Sequence, residues 1–549
     1  MDSSLPGSCI ARRTSFRSGL VRALAFLGFA AIAASAVAAS ANESTHAERS
    51  RPPGVAWFPG SVPDAFALAA SGNKPVFLYW GAVWCPPCQE LKATVFKRQD
   101  FLDRLNLFVP VYLDGDDVGA QAWGEKFHIA GYPTVLVMRG DQTELERVTG
   151  GMDLSRYAEV LDLALGQVRS AHEMLISLDS ETPGAKLAEL SLEDCRRLAF
   201  NGWQLEDDWL YRPETLGPAA QALGRAARRC PAKARTERAR LEVLAALAGI
   251  HAQAMDLDAG KAPSTELRAQ LAPVSSILGD PKLSLAVGDT LEEMPPQFFK
   301  ALVDMKPGER DLLRKRWFSM CDALSTDKRF SAADQVDALR SKLIAAKSLD
   351  PAGKVDPAIG AAVTQRIDSS LAKEHEPYAR ASLVNSSLNA LDTLDDDDRA
   401  YAILAGEVKT SANPYYYMAD LSELEEKRGN KQAAIDLLAQ SFQTAQGPAT
   451  RFQWGVGYVR GLVRMKPDDD AAIRDATLSV LAQLDAAGDL HGRTKRALGR
   501  LEKSLSEWNK DAAHAGAIAS VHERMAAICG RIPAGDDARA SCSEFLSKV

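Results

Sequence analysis

Gly81-Ala-Val-Trp-Cys-Pro-Pro-Cys-Gln-Glu-Leu91 decides the fold of the first third of this chain. Directly before it ends the run Val76-Phe-Leu-Tyr-Trp80, apolar at every position. That is the pattern of a strand covered on both faces in a mostly parallel sheet. Prolines are tolerated in a first helical turn, where their missing N–H groups have no partner to lose. Proline also holds the residue before it extended. The stretch therefore reads as strand, turn, helix, with Cys85 just outside the helix and Cys88 one turn in, within disulfide reach.

Working outward, a helix is expected over Pro63–Ser71, stopped by Gly72-Asn73. After the cysteines the pattern predicts a helix from Gln89 to about Lys97 and a strand at Leu107–Leu113. A helix over Val118–Phe127 and a strand at Thr134–Met138 follow. Asp141-Gln142 marks a turn into a strand at Glu144–Val148, and a closing helix is expected over Leu154–Gln167. Strands alternating with helices in this way indicate an α/β layer fold, a central mixed sheet flanked by helices, with right-handed crossovers between its parallel strands.

Cys85 and Cys88 could form a catalytic pair, half of a metal site, or a tight structural disulfide. There are eight cysteines, and no second CxxC and no HExxH accompany the pair, so neither a metal nor a cofactor is expected. A disulfide across so short a loop adds little through chain entropy. At a helix start, in contrast, Cys85 meets the positive end of the helix dipole and free amide donors, which favour its thiolate. Cys85 is then the attacking sulfur, and Cys88 on the buried side resolves the mixed disulfide. Neither residue between the cysteines is basic, which points to a moderately reducing couple. For the other cysteines the structural reading leads. Cys195 with Cys230, and Cys529 with Cys542, suit staples of roughly 2–4 kcal/mol each. Cys321, in Arg316-Trp-Phe-Ser-Met-Cys321, reads as a small buried hydrophobe.

Trp84-Cys85-Pro86-Pro87-Cys88 after a buried strand, with Gly131-Tyr132-Pro133-Thr134 opening a later one, resembles the thioredoxin superfamily. The lead-in from Ala65 to Cys85 and the tail from His128 to Gly150 are most similar to the DsbD C-terminal type of domain and its secreted relatives. The resemblance covers residues 55–168. It implies that Pro133 is cis and lies against the CxxC, leaving the Tyr132 backbone to pair with an extended substrate segment. It also implies that Trp84, Tyr132 and Pro133 shape a docking groove. One departure matters: the family often places a buried aspartate six residues before the first cysteine, and this chain has Tyr79 there. Proton transfer to and from Cys88 then falls to water, Glu90, or a carboxylate such as Asp114.

The first 41 residues differ in composition from the rest. Arg12, Arg13, Arg17 and Arg22 precede an uncharged, Ala-rich run from Ala23 to Ala39 that ends in small residues. This is the pattern of a secretory signal peptide, cleaved after Ala38 or Ala41. No later segment has 18 uninterrupted apolar residues, so the expected location is periplasmic or secreted, with no integral membrane segment after cleavage. At 46% hydrophobic, 25% charged and net charge -7, the chain has the composition of a globular protein and lacks the positive field that a nucleic-acid partner requires.

From residue 172 to 549 the strand signal gives way to apolar residues at spacings of three and four, as in Ala222-Leu223-Ala226-Ala227 and Leu437-Leu438-Ser441-Phe442. Ser191 with Asp194, Pro218 near a first turn, and Pro467 before three aspartates mark helix starts. The acidic run Asp395–Asp398 reads as a loop and first turn. Leu421, Gly429, Ala434, Leu438 and Ser441 fall at the offsets of a tetratricopeptide repeat, which predicts an all-α, repeat-like (TPR-like) array. Gly455-Val-Gly457-Tyr-Val-Arg-Gly461 has a phosphate-loop look but no preceding strand, so it reads as helix packing. Gly492-Arg-Thr-Lys-Arg496 reads as a solvated helix face.

Together these features predict an exported thiol:disulfide oxidoreductase, a disulfide reductase with protein disulfide substrates. Its electron donor would be membrane-bound or periplasmic, and its helical region would bind a partner. The competing reading is a non-enzymatic helical scaffold in which CPPC is a redox-sensitive clasp.

Overall fold

The computed structural model describes residues 51–117, 119–148, 161–165, 169–178, 189–203, 213–302, 306–350, 352–487, 490–533, 535–536 and 538–549. The expected signal peptide lies outside these residues, as does most of the closing helix expected over 154–167; its described part includes buried Leu161 and Ala164.

Four strands form one mixed sheet: β1 (Val76–Gly81), β2 (Val109–Asp114), β3 (Thr134–Met138) and β4 (Glu144–Val148), in the order β2-β1-β3-β4. β1 runs parallel to β2 and antiparallel to β3, and β3 runs antiparallel to β4. Every residue of β1 is buried, as its unbroken apolar run requires. The helix Val62–Gly72 starts at a Ser61/Asp64 capping box and ends on Asn73 in the left-handed region (φ 47°). One element escaped the sequence reading. Beyond the helix Pro86–Ala93 and a 3₁₀ turn at Val95–Lys97, the chain forms a further helix, Gln99–Leu105, which buries Phe101 and Leu105.

The chain divides into two compact units. The first holds residues 52–115 and 123–403. Here the sheet core of Phe77, Tyr79, Phe96, Phe101, Val135 and Val137 continues without a break into Leu198, Trp203, Leu223 and Leu241 of the helices Leu192–Phe200, Pro213–Arg229 and Arg235–Ala252. Arg197, 1% exposed, fixes this joint: it meets Glu146 of β4 at 3.1 Å and donates to the carbonyls of Leu145 (2.9 Å) and Arg169 (2.7 Å). Ser191 caps its helix through the Asp194 amide as expected. Pro218 does not open a helix; it lies inside Pro213–Arg229. Only one backbone bond is lost there, and Leu216, Ala219, Ala220 and Leu223 bury the surrounding face.

The second unit holds residues 116–122 and 404–549. The helices Pro414–Lys427 and Lys431–Thr444 meet across Gly429 (φ 83°). Ser422 donates to the Ala434 carbonyl and Ser441 to that of Tyr415, so small residues let the two backbones approach. The glycine-rich Gly455–Gly461 lies within the helix Pro448–Met465, and a Cβ at Gly455 would stand 2.6 Å from Val480 and 3.0 Å from Phe442. Gly455 and Gly461 serve helix packing, while a Cβ at Gly457 would meet open space. The basic run at 492–496 is not a fully solvated face. Arg493 is buried, pairs with Asp116 at 2.8 Å, and donates its backbone N–H to the Gln121 side-chain oxygen at 2.7 Å. Asp116 also accepts from the amide and hydroxyl of Thr450. Among the described residues, no helix is long and apolar enough to cross a membrane.

Candidate functional site

The register of the sheet assembles the site. Gly81 pairs with Asp114 on β2, and Trp80 pairs with Thr134 on β3. The turn leading from β1 to Cys85, the end of β2, and Tyr132-Pro133 at the start of β3 therefore share one end of the sheet. Cys85 is the N-cap of the helix Pro86–Ala93, extended at φ -76° and ψ 113°, with prolines filling the first helical positions. Its sulfur accepts from the Cys88 amide at 3.2 Å. This donor and the helix dipole are the groups that stabilise a thiolate once the pair is reduced. In this structure the pair is a disulfide with Cα atoms 5.2 Å apart.

Tyr132-Pro133 is a cis peptide. Thr134 donates from its hydroxyl to the Gly131 carbonyl at 2.8 Å, closing that turn. Trp84 and Tyr132, both half-buried, pack against Cys85 and Cys88, their rings edge to face at 6.2 Å. Gly115 makes room for Tyr132, since a Cβ there would run into its ring; sequence reasoning did not single it out. The structure thus brings together Trp84, Cys85, Cys88, Tyr132 and Pro133. It departs from expectation in one respect: Cys85 is only 2% exposed, almost as covered as Cys88 at 0%. An attacking sulfur has to be reached by its substrate. Here Ala82 shares the buried cluster and the two aromatic side chains pack against it.

Of the carboxylates considered for proton transfer, Asp114 lies at the end of β2, wholly buried, and accepts from the Tyr112 hydroxyl at 3.3 Å. Glu90 turns to the helices beyond the sheet. Burial raises its carboxyl to about 7, Asp334 and Asp337 add to the effect, and Ser331 and Ser382 oppose it. Tyr79, where the family often has an aspartate, is buried among Trp57, Phe96 and Tyr112. Lys92 was missed. It lies in the same helical register as Cys88, Leu91 and Val95, and a lysine on an apolar stripe was the signal available.

The other cysteines pair as Cys195–Cys230 and Cys529–Cys542, and Cys321 is a buried free thiol, its pKa pushed far up by burial. Among the described residues, no group of three or more potential ligands could hold a metal.

Fold and site together define a thioredoxin-like α/β domain carrying a redox-type CxxC, followed by a large helical region. Residues 62–165 match the family model described as "Thioredoxin-like domain". A comparison with curated proteins gives no match. Among solved structures, a chain of one titled "Homology model of the full-length AP-3 complex in an intermediate open conformation" is similar over 72% of this chain and 78% of that chain. At 11% identity and a TM-score of 0.27, this likeness carries no argument.

Proposed function

We propose that this chain is an exported thiol:disulfide oxidoreductase of the DsbD C-terminal type, acting as a disulfide reductase, with a TPR-like helical region that selects the partner. The observation that carries this reading is the Cys85 sulfur at a helix N-cap, 3.2 Å from the Cys88 amide and flanked by Trp84 and Tyr132. In the reduced protein the Cys85 thiolate attacks one sulfur of a protein disulfide. The other sulfur leaves as a thiolate and takes a proton from solvent. Cys88 then gives up its proton and attacks Cys85, releasing the second substrate thiol and leaving the Cys85–Cys88 disulfide. Two electrons have passed to the substrate. A dithiol donor, membrane-bound or periplasmic, returns them. Trp84, Tyr132 and Pro133 line the docking groove, and the packing around Cys85 must open to expose its sulfur.

Insulin reduction tests the reading: turnover by the wild type, falling to the uncatalysed background in Cys85→Ser, is the expected result. The 2% exposure of Cys85 favours a second reading, a helical binding protein with a redox-sensitive clasp. Equal and negligible reduction by both proteins selects that reading over the enzyme. Trapping with Cys88→Ser captures the substrate as a mixed disulfide on Cys85.

A further inference from the structure

We propose that Lys92 takes the proton from Cys88 when Cys88 attacks Cys85, with Asp114 holding the ammonium that results. The inference rests on the exchange chemistry above and assigns the acid–base group beneath it. Lys92 follows Cys88 by one helical turn, so the two side chains share a face. Helical side chains lean toward the N-terminus of their helix, which sends the lysine stem back over the turn that carries Cys88.

A second observation fixes that direction. β1 and β2 are parallel, and Asp114, the last residue of β2, pairs with Gly81 four residues before Cys85. Asp114 is thus at the end of the sheet where the helix Pro86–Ala93 begins. The charge of Asp114 acts on Lys92 and favours its ammonium form, as the backward lean of the lysine stem requires.

The surroundings suit an amine that gains and loses a proton. Lys92 is 1% exposed, and its Nζ has no hydrogen-bond partner among the described residues. Its ammonium lies over the ring of Tyr378, 5.5 Å from the centroid. A buried ammonium without hydrogen bonds is disfavoured. Burial lowers the Lys92 pKa to about 8, with Asp114 opposing. The charged group that acts on it is Asp114 on β2, and Tyr378 on the helix Pro377–Leu394 is the ring beside it. Glu90, on the same helix as Lys92, faces Ser331 and Ser382 instead.

The step balances. Neutral Lys92 accepts the Cys88 thiol proton, giving an ammonium and a thiolate. The thiolate forms the bond to Cys85 as the bond from Cys85 to substrate breaks, and the departing substrate thiolate is protonated by water. When the dithiol donor reduces the pair again, Lys92 returns its proton to Cys88.

The test mixes reduced protein rapidly with an aryl disulfide whose thiol is coloured. The first release reports attack by Cys85 and the second reports resolution by Cys88. In Lys92→Met, the second release is expected to slow at least about tenfold relative to the first, as loss of one pKa unit of thiolate stabilisation implies. The wild-type rise of the second release with pH, centred near the Lys92 pKa, should also disappear. Lys92→Arg keeps the charge but cannot accept a proton, so it should not restore that rise. An unchanged ratio of the two releases overturns the assignment. If Lys92→Met leaves Asp114 uncompensated and does not fold, Lys92→Met with Asp114→Asn allows the same measurement. Failure of the reductase reading looks different: the aryl disulfide is resolved, but insulin is not reduced by the wild type.

Discussion

Cys85–Cys88 and Cys195–Cys230 are the same bond in opposite settings. The first closes three residues at a helix start, where its sulfur receives a backbone amide and two aromatic side chains flank it. The second spans 35 residues, joins the helix Leu192–Phe200 to the end of Pro213–Arg229, and lies in the continuous apolar core. Loop-closure entropy assigns roughly 2 kcal/mol to the first and about 4 kcal/mol to the second. The bond that contributes least to holding the chain is therefore the one with a backbone amide aimed at its sulfur. What a disulfide does here follows from what surrounds it, with stability and chemistry assigned to different pairs.

Removing each pair in turn tests that division. Cys85→Ala with Cys88→Ala is expected to abolish insulin reduction while costing only about 2 kcal/mol in urea unfolding. Cys195→Ala with Cys230→Ala should do the reverse, losing about 4 kcal/mol with turnover per folded molecule retained. Cys529–Cys542, spanning 13 residues between the last two helices, should cost about 3 kcal/mol and likewise spare turnover. The comparison breaks if loss of either long-range pair silences the chemistry in protein that remains folded.

Much of this contrast could be read from the residues. An apolar run meeting Trp-Cys-Pro-Pro-Cys specifies a buried strand and a capped helix, because proline allows few other conformations there. The helix Gln99–Leu105 was not legible, since its seven residues carry only Phe101, Leu102 and Leu105 as apolar positions, too few to define a period. Arg493 looked like surface charge because its partner, Asp116, is far away in sequence. Spacing within one segment can show that Lys92 belongs to an apolar stripe, but it cannot show what lies across from that stripe. The cover over Cys85 was hidden for the same reason: a capped, exchange-ready sulfur and a buried one have the same local sequence.

The smallest expected effect concerns the way the cysteine helix meets the helical region. The helix Pro377–Leu394 packs on Pro86–Ala93, and Lys97 pairs with Glu376 at 3.4 Å beside it. In this joint burial raises the Glu90 carboxyl from 4.5 to about 7 and that of Asp337 from 3.8 to about 6; Asp334 is raised as well. Burial also raises Glu292, with Asp337, Asp334 and Asp289 adding to it. An acid whose pKa is higher in the folded state keeps its proton there after the unfolded chain has released its own, so folding loses stability as pH rises. For Glu90 that stabilisation is complete below about 4.5 and is lost as pH climbs through about 7. The thermal midpoint is therefore expected to fall across this window, and amide exchange in Pro86–Ala93 to quicken. Glu90→Gln should remove its own share of the slope and leave the shares of Asp337, Asp334 and Glu292 in place. The joint beside Cys195–Cys230 adds a slope of its own, because burial raises the Glu146 carboxyl to about 8 against the opposing Arg197. Equal slopes in wild type and Glu90→Gln would move the titration to another group and leave the cysteine helix held by packing alone.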